Sequence, residues 1–546
     1  MSNPDAPFYP IIYVRGYAMT RSEINETTAD PFNGFNLGST MLRASASQKD
    51  RPRKFFFESP IIRLASEFGY NDVYEDGLDI LDEGWEVDST GKPTGKVLNN
   101  SSIIIYRYYD EASSLLGSGE TPDIESSAKG LSALLAKIQK LLQNNPNSGV
   151  QKAADFRCYL VAHSMGGLIC RAFLQNPGLD PEGQAKNVDK FFTYATPHNG
   201  IEFANINIPD LPWQSSVTNF NRSVQMASYL NLTNEYKKYQ RVDLIPESRF
   251  PSSRIFTMVG TNRLDYEVAA GLSRTFVGNG SDGLVKIENA TLTSLNNDGS
   301  IGTPCAKAFA YRSHSGYFGI VNSEEAFQNL SRFLFGDVRV DIWLDITDIR
   351  LPLAAIKAAD GDPSKIDAIY QIEAVASPRG KPWSLTRRIS EEDSVACLTQ
   401  KEWRDQEHSS QYLSSVFLSR RARVKKTRPS LAYNLLLCVK MPDYEIEKRF
   451  WFNEHFEGGY LFRNSLIIEI VPPGNDTTPW KIKYAWQDTG FSSADIALTP
   501  NQIEDNGCEV TIPVVSMTLD TKGNKQPSTP GISGQLRFRI LSWNKT

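Results

Sequence analysis

"CYLVAHSMGG", Cys158 to Gly167, joins a short apolar run to a polar corner flanked by glycines. Tyr159, Leu160, Val161 and Ala162 have the length and character of a buried strand. "GLICRAFLQN" beyond the glycines places Leu168, Ile169, Ala172 and Phe173 at helical spacing. A chain that passes from strand to helix so abruptly forces the residue at the corner, Ser164, out on a strained turn. That is the geometry of a nucleophile elbow, in which a serine hydroxyl stands above a parallel sheet and small neighbours let the backbone approach closely.

Working outward, residues 10–335 alternate β-rich runs with helical patterns: "IIYV", "SIIIYRYY" (102–109), "KGLSALLAKIQKLLQ" (129–143), "CYLVA", "KFFTYA" (190–195), "RIFTMVG" (254–260), "KAFAYR" (307–312) and "EEAFQNLSRFLFG" (324–336). Such alternation predicts an α/β fold with a parallel sheet covered by helices on both faces. Two insertions interrupt it. Residues 16–100 read as polar and irregular, and 201–253 carries Trp213, Phe220, Met226, Tyr229, Leu230 and Tyr236, the composition of an apolar cap over a site. After Gly336 the pattern is strands only. Leu536, Phe538 and Ile540 alternate with Arg537 and Arg539, and Gly, Pro, Asp and Asn turns separate the runs, as in an antiparallel sandwich. The expected division is an α/β domain over 1–336 and a β-sandwich-like domain over 337–546.

With 546 residues the chain exceeds the roughly 250–300 at which a single core stops growing, so two or more domains are expected. A net charge of −5 gives no reason to expect nucleic acid as a partner. The N-terminal "MSNPDAPFYPIIYV" lacks the layout of a conventional secretory signal, and no run approaches the roughly 18–20 apolar residues that span a bilayer. Six scattered cysteines without a CxxC pair read as reduced core thiols. The expectation is a soluble protein, cytoplasmic or exported without a conventional signal peptide.

An activated serine needs a base within hydrogen-bond reach and an acid to hold that base. Among the five histidines, His314 in "YRSHSGYFG" follows the last core strand, and Asp282 in "NGSDGLVK" lies between it and Ser164. The chain order Ser, Asp, His agrees with an α/β topology whose acid and base sit on loops after later strands. Asp265 is the alternative acid, since "NGSDG" also suits a plain turn. His163 and His198 read as structural, one beneath the elbow and one in a loop after a strand.

"AHSMGG" (162–167), "ATPHNG" (195–200), "SDGLV" (281–285) and "SHSG" (313–316) together make the chain, over residues 10–335, resemble α/β-hydrolases of the lipase/esterase group, including triacylglycerol lipases and glycosylphosphatidylinositol-deacylase-like hydrolases. The resemblance implies ester cleavage through Ser164, His314 and Asp282, with the backbone N–H groups of Tyr17 and Met165 as the oxyanion hole. The substrate would be a lipid or other acyl ester. Two departures stand out: Ala162 replaces the usual glycine two before the serine, and "VRG" puts Arg15 where many lipases have a histidine. A phospholipase of antibacterial-toxin type acting on membranes is the alternative enzyme, and an inactive hydrolase-fold binding protein the alternative of another class. "SRRARVKKTR" (419–428), with Arg420, Lys426 and Arg428, could meet anionic headgroups in a peripheral membrane contact or simply be a solvated face. No spacing of metal ligands or nucleotide fingerprint is present, so no cofactor and no metal is expected.

Overall fold

The computed structural model describes residues 7–16, 35, 39–43, 53–57, 59–74, 79–82, 84–108, 110, 123–201, 224–264, 280–316, 319–405, 409–423, 425–446, 454–474, 478–487, 496–504 and 506–544. Contacts divide it into two compact units: Pro7–Lys307 with Tyr311–Leu330, and Ala308–Ala310 with Ser331–Thr546.

In chain order the first strands are β1 (Ile11–Val14), β2 (Ser39–Arg43), β3 (Arg53–Phe57), β4 (Asn71–Asp72), β5 (Ser102–Ile105), β6 (Cys158–His163), β7 (Val188–Tyr194), β8 (Leu244–Pro246), β9 (Ile255–Gly260), β10 (Thr293–Leu295), β11 (Ile301–Pro304) and β12 (Ala306–Ala310). The central sheet has the order β12-β9-β7-β6-β1-β5-β4. Its pairs β4–β5, β5–β1, β1–β6, β6–β7 and β7–β9 are parallel. Every residue of β1, β5, β6 and β9 is buried, which is why these strands read as unbroken apolar runs without alternation. Ile12, Val14, Leu160 and Ala162 join one core cluster with Leu131 and Leu135 of the helix Ile124–Asn144 and with Leu168 and Phe173 of the helix Met165–Gln175. Tyr13, Tyr159 and Val161 face the other way and are equally buried. The strand that leads into the elbow lies at the centre with the first strand beside it, and the chain has an α/β-hydrolase fold.

Both insertions hold more structure than their composition suggests. Within 16–100, β2 and β3 pair antiparallel. The helix Pro60–Phe68 is capped by the Ser59 side chain and ended by Gly69 in the left-handed region; the Ser-Pro start and glycine stop are readable signals in an otherwise polar stretch. In the predicted cap, Val224–Tyr229 and Thr233–Tyr239 are helices, and β8 pairs parallel to β10 in a small sheet β11-β10-β8. Met226, Tyr229 and Leu230 are buried and belong to the core cluster. Trp213 and Phe220 lie outside the described residues.

The second unit continues with β13 (Val338–Arg350), β14 (Ile366–Pro378), β15 (Thr386–Arg388), β16 (Ala396–Thr399), β17 (Ser410–Leu418), β18 (Leu431–Ile446), β19 (Glu454–Val471), β20 (Lys481–Trp486), β21 (Ile496–Leu498), β22 (Asn501–Ile503), β23 (Gly507–Val515), the hairpin β24–β25 (Met517–Leu519, Lys525–Pro527) and β26 (Gly531–Ser542). Two antiparallel sheets, β17-β13-β26-β23-β22 and β15-β14-β18-β19-β20-β21 with β16 on β14, share one hydrophobic core. Register follows the alternation: Ile540, Phe538 and Leu536 oppose Val340, Ile342 and Leu344, all buried. Among the described residues no helix is long and apolar enough to cross a membrane.

Candidate active site

The turn after β6 forms with Ala162 in its ordinary place in the strand, paired with Val14 and Thr193. Ser164 then takes φ 55° and ψ −129°, a conformation that L-residues rarely adopt. Ser164 is the N-cap of Met165–Gln175, a position where a serine hydroxyl normally accepts from a helix N–H. Here it makes no such cap bond. The strained backbone swings the side chain off the helix and leaves its hydroxyl for another partner. The backbone N–H of Ser164 donates to the Tyr194 carbonyl (2.9 Å), which ties the elbow to β7. The end of β1 lies so close that a methyl group on Gly16 would sit 2.3 Å from the Ser164 Cβ. Only glycine fits there.

The partner is His314. Its Nε2 lies 2.9 Å from Ser164 Oγ and its Nδ1 lies 2.9 Å from Asp282 Oδ2. A carboxylate can only accept, so Nδ1 carries the proton and Nε2 accepts from the serine hydroxyl. The other oxygen of Asp282 accepts from the N–H groups of Leu284 (3.0 Å) and Val285 (2.7 Å). One carboxylate oxygen of Asp282 therefore makes the turn and the other meets the imidazole. The His314 N–H also donates to the Asp282 carbonyl (3.0 Å), so backbone and side chain fix the pair. Ser164, Asp282 and His314 are 6%, 1% and 3% exposed. Each depends on its neighbours for hydrogen bonds.

Behind this series lies a layer of buried polar groups whose connections the sequence does not announce. His163 Nε2 donates to the His314 carbonyl (2.9 Å), which holds the backbone that carries the imidazole. Burial pushes the His163 imidazole well below the usual histidine range, and His314 and Arg15 push in the same direction. His198 meets Thr193 Oγ1 at 3.1 Å, and burial followed by the Arg171 charge depresses it likewise. Arg171, fully buried, donates to the carbonyls of His198, Val242 and Leu244 and to Gln175 Oε1. Burial pulls its guanidinium down to about 10, still above neutral pH. Thr196 packs against Gly167, where a Cβ would lie 2.1 Å from its hydroxyl. "ATPHNG" is thus a brace between the elbow helix and the loop before β8. An arginine in an apolar helical stretch is the one signal that could have revealed this brace.

Met165 opens the helix, where the first backbone N–H groups have no carbonyl four residues earlier to bond. Tyr17, its expected companion, and Asp265, the alternative acid, lie outside the described residues. The Arg15 carbonyl accepts from Tyr108 Oη (2.7 Å), fixing the end of the β1 loop. Among the described residues no group of three or more His, Cys, Asp or Glu side chains is placed to hold a metal ion.

Fold and site together define an α/β-hydrolase fold with a hydrogen-bonded serine at its elbow. No family model matches the chain, and no curated protein sequence does. Among solved structures it is similar to a lipase of Bacillus licheniformis (16% identity, TM-score 0.29, 61% of this chain and 95% of that one). It is also similar to the phospholipase PlaB of Legionella pneumophila (13%, 0.29, 79% and 86%) and to a gene product of Listeria innocua (12%, 0.25, 60% and 94%). At such scores the strand order and the elbow carry the fold assignment.

Proposed function

We propose that the protein is a serine hydrolase that cleaves carboxylic esters, with residues 1–336 as its catalytic domain and 337–546 as an accessory β-sandwich. The observation that carries the reading is the 2.9 Å approach of Ser164 Oγ to an imidazole whose opposite nitrogen is held at 2.9 Å by a carboxylate. In the forward step Ser164 Oγ bonds to the ester carbonyl carbon and its proton passes to His314 Nε2. Asp282 stabilises the imidazolium, and the Met165 and Tyr17 amides receive the oxyanion. Collapse expels the alcohol, which takes the proton from His314. Water then repeats the sequence on the acyl-serine and releases the acid. Lipid esters are the substrate class that the resemblance of "AHSMGG", "ATPHNG" and "SDGLV" supports. His163 and His198 make poor bases because burial disfavours the imidazolium that each would have to become, and their ring nitrogens are used on backbone or buried hydroxyl partners or lie enclosed.

The test is labelling by a fluorophosphonate together with hydrolysis of p-nitrophenyl acyl esters. Ser164→Ala should abolish labelling and lower kcat by about 10⁴–10⁶. Undiminished turnover in that variant would sink the proposal.

A further inference from the structure

The basic run that the active site leaves unexplained forms one wall of a cavity of about 330 Å³ inside the second unit. Pro378 at the end of β14, Leu418 at the end of β17 and Leu431 at the start of β18 frame it. Among the described residues five cationic side chains line it, Arg332, Arg379, Arg423, Lys425 and Arg428, against one carboxylate, that of Glu469.

These cations differ in how they are held. Arg332 is 4% exposed, with its guanidinium 5.3 Å from the centre of the Trp383 ring. Arg423 turns back on its own loop, donating from Nε to the Arg420 carbonyl (3.0 Å) and from Nη1 to the Arg428 carbonyl (2.6 Å). It thereby shapes the loop that carries Lys425 and Arg428. Those two and Arg379 are exposed and make no side-chain hydrogen bond or ion pair with the described residues. An edge-protecting face would spread its charges over solvent. Here three uncommitted cations and two held ones converge on one concavity, where their mutual repulsion has to be offset by something anionic.

We infer that this cavity is a binding site for a phosphate-bearing group, either a soluble phosphate ester or the headgroup of an anionic phospholipid. Arginine forks match phosphate oxygens in pairs, and Lys425 adds a point charge. The volume suits a phosphate with a short polar substituent attached. The inference is independent of the Ser164 reading, because every lining residue lies in the second unit and binding needs no turnover.

The test uses the full chain carrying Ser164→Ala, so that no lipid is consumed. Inorganic phosphate and glycerol 3-phosphate are titrated by calorimetry, and flotation is measured with phosphatidylcholine vesicles with and without phosphatidylglycerol. We expect binding of at least one phosphate probe, weakened at least about tenfold by Arg379→Ala combined with Arg428→Ala, and unchanged by Lys522→Glu, an exposed control outside the lining. Because a lost cation can also weaken binding trivially, Glu469→Gln supplies the opposite sign: removing its repulsive charge should tighten phosphate binding several-fold. Saturation by the free esters assigns a soluble ligand, whereas flotation only with phosphatidylglycerol assigns a headgroup. Absence of binding by every probe would overturn the inference. So would binding that the double variant leaves intact, or that Glu469→Gln fails to tighten.

Discussion

Arg171 in the parallel-sheet unit is sealed from solvent and spends its guanidinium on three backbone carbonyls and a glutamine, whereas Arg537 in the sandwich leaves 26% of its side chain exposed. Arg537 pairs with Asp345 at 2.9 Å and lies 4.6 Å over the Trp343 ring. The sandwich has sealed charges as well, Arg339 with Asp341 among them, so the two arginines contrast a sealed position with a wet one. A parallel strand is buried on both faces, so polar residues needed near its carboxyl end must satisfy one another inside the protein. An antiparallel strand with one wet face sends every second residue to solvent, and its charges can lose a partner without being stranded. A polar change at a sealed position such as Arg171 consequently leaves several groups unsatisfied, and one at a wet position such as Arg537 does not.

The largest effect of this kind falls on Asp282. In Asp282→Asn the amide oxygen still accepts from Leu284 and Val285, so the turn and the fold should persist. The amide NH₂ then faces His314 Nδ1, drives the imidazole proton to Nε2 and removes the base from Ser164. A fall in kcat on the order of 10⁴ with unchanged thermal unfolding is expected. A near-normal rate would transfer the acid role to another carboxylate, Asp265 being the first to test.

Next comes the contrast between the arginines themselves. Arg171→Met should cost about 3–5 kcal/mol in urea unfolding, because it strands carbonyls in a dry interior. Arg537→Met should cost no more than about 1 kcal/mol, the range of a partly exposed ion pair. Similar losses at both sites would show that burial does not set the difference.

The same contrast explains what could be read from the residues alone. Strands with a wet face announce themselves by period two, and those buried on both faces by apolar runs between helical patterns, so the order of elements was legible. That Ser164, Asp282 and His314 could meet was legible because a strained corner, a turn aspartate and a loop histidine follow one another in the right order, and the structure brings the three side chains together. The brace was not, since Arg171 and His163 act on backbone carbonyls far away in sequence, and any residue can supply a carbonyl. Nor was the fate of Met226, Tyr229 and Leu230. Their composition suits a cap or a core equally, and only the packing against Met165–Gln175 decides.

Acid should weaken the first unit. His163 and His198 are held neutral in the folded state, well below their unfolded value near 6.5. The unfolded chain therefore binds more protons below that pH, and the stability they contribute is present above about 6.5 and declines as the pH falls toward their folded values. Each can contribute up to about 1.4 kcal/mol of loss per pH unit in that window. Thermal unfolding followed from pH 7.5 to 5 should show the decline, and His198→Asn should flatten it. A profile that the substitution leaves unchanged would mean the protons enter elsewhere.

The smallest effect concerns strain. Ser164 and Asp393 both have positive φ, 55° and 49°, but Ser164 combines it with ψ −129° while Asp393 sits at ψ 33° in the left-handed helical region that aspartate tolerates. Glycine ordinarily destabilises relative to alanine by roughly 0.5–1 kcal/mol, through the entropy of the unfolded chain. At the elbow that order should reverse. Both Ser164→Ala and Ser164→Gly lose the bond to His314, so their difference isolates the backbone, and Ser164→Gly should be the more stable by about 1 kcal/mol. Asp393→Gly should change stability by less than about 0.5 kcal/mol, because little strain is there to relieve. If alanine matches or exceeds glycine at position 164 in urea unfolding, the corner stores no strain. The serine would then be displayed by the close approach of β1 and β7 alone, and a glycine at position 16 would be the more critical of the two sites.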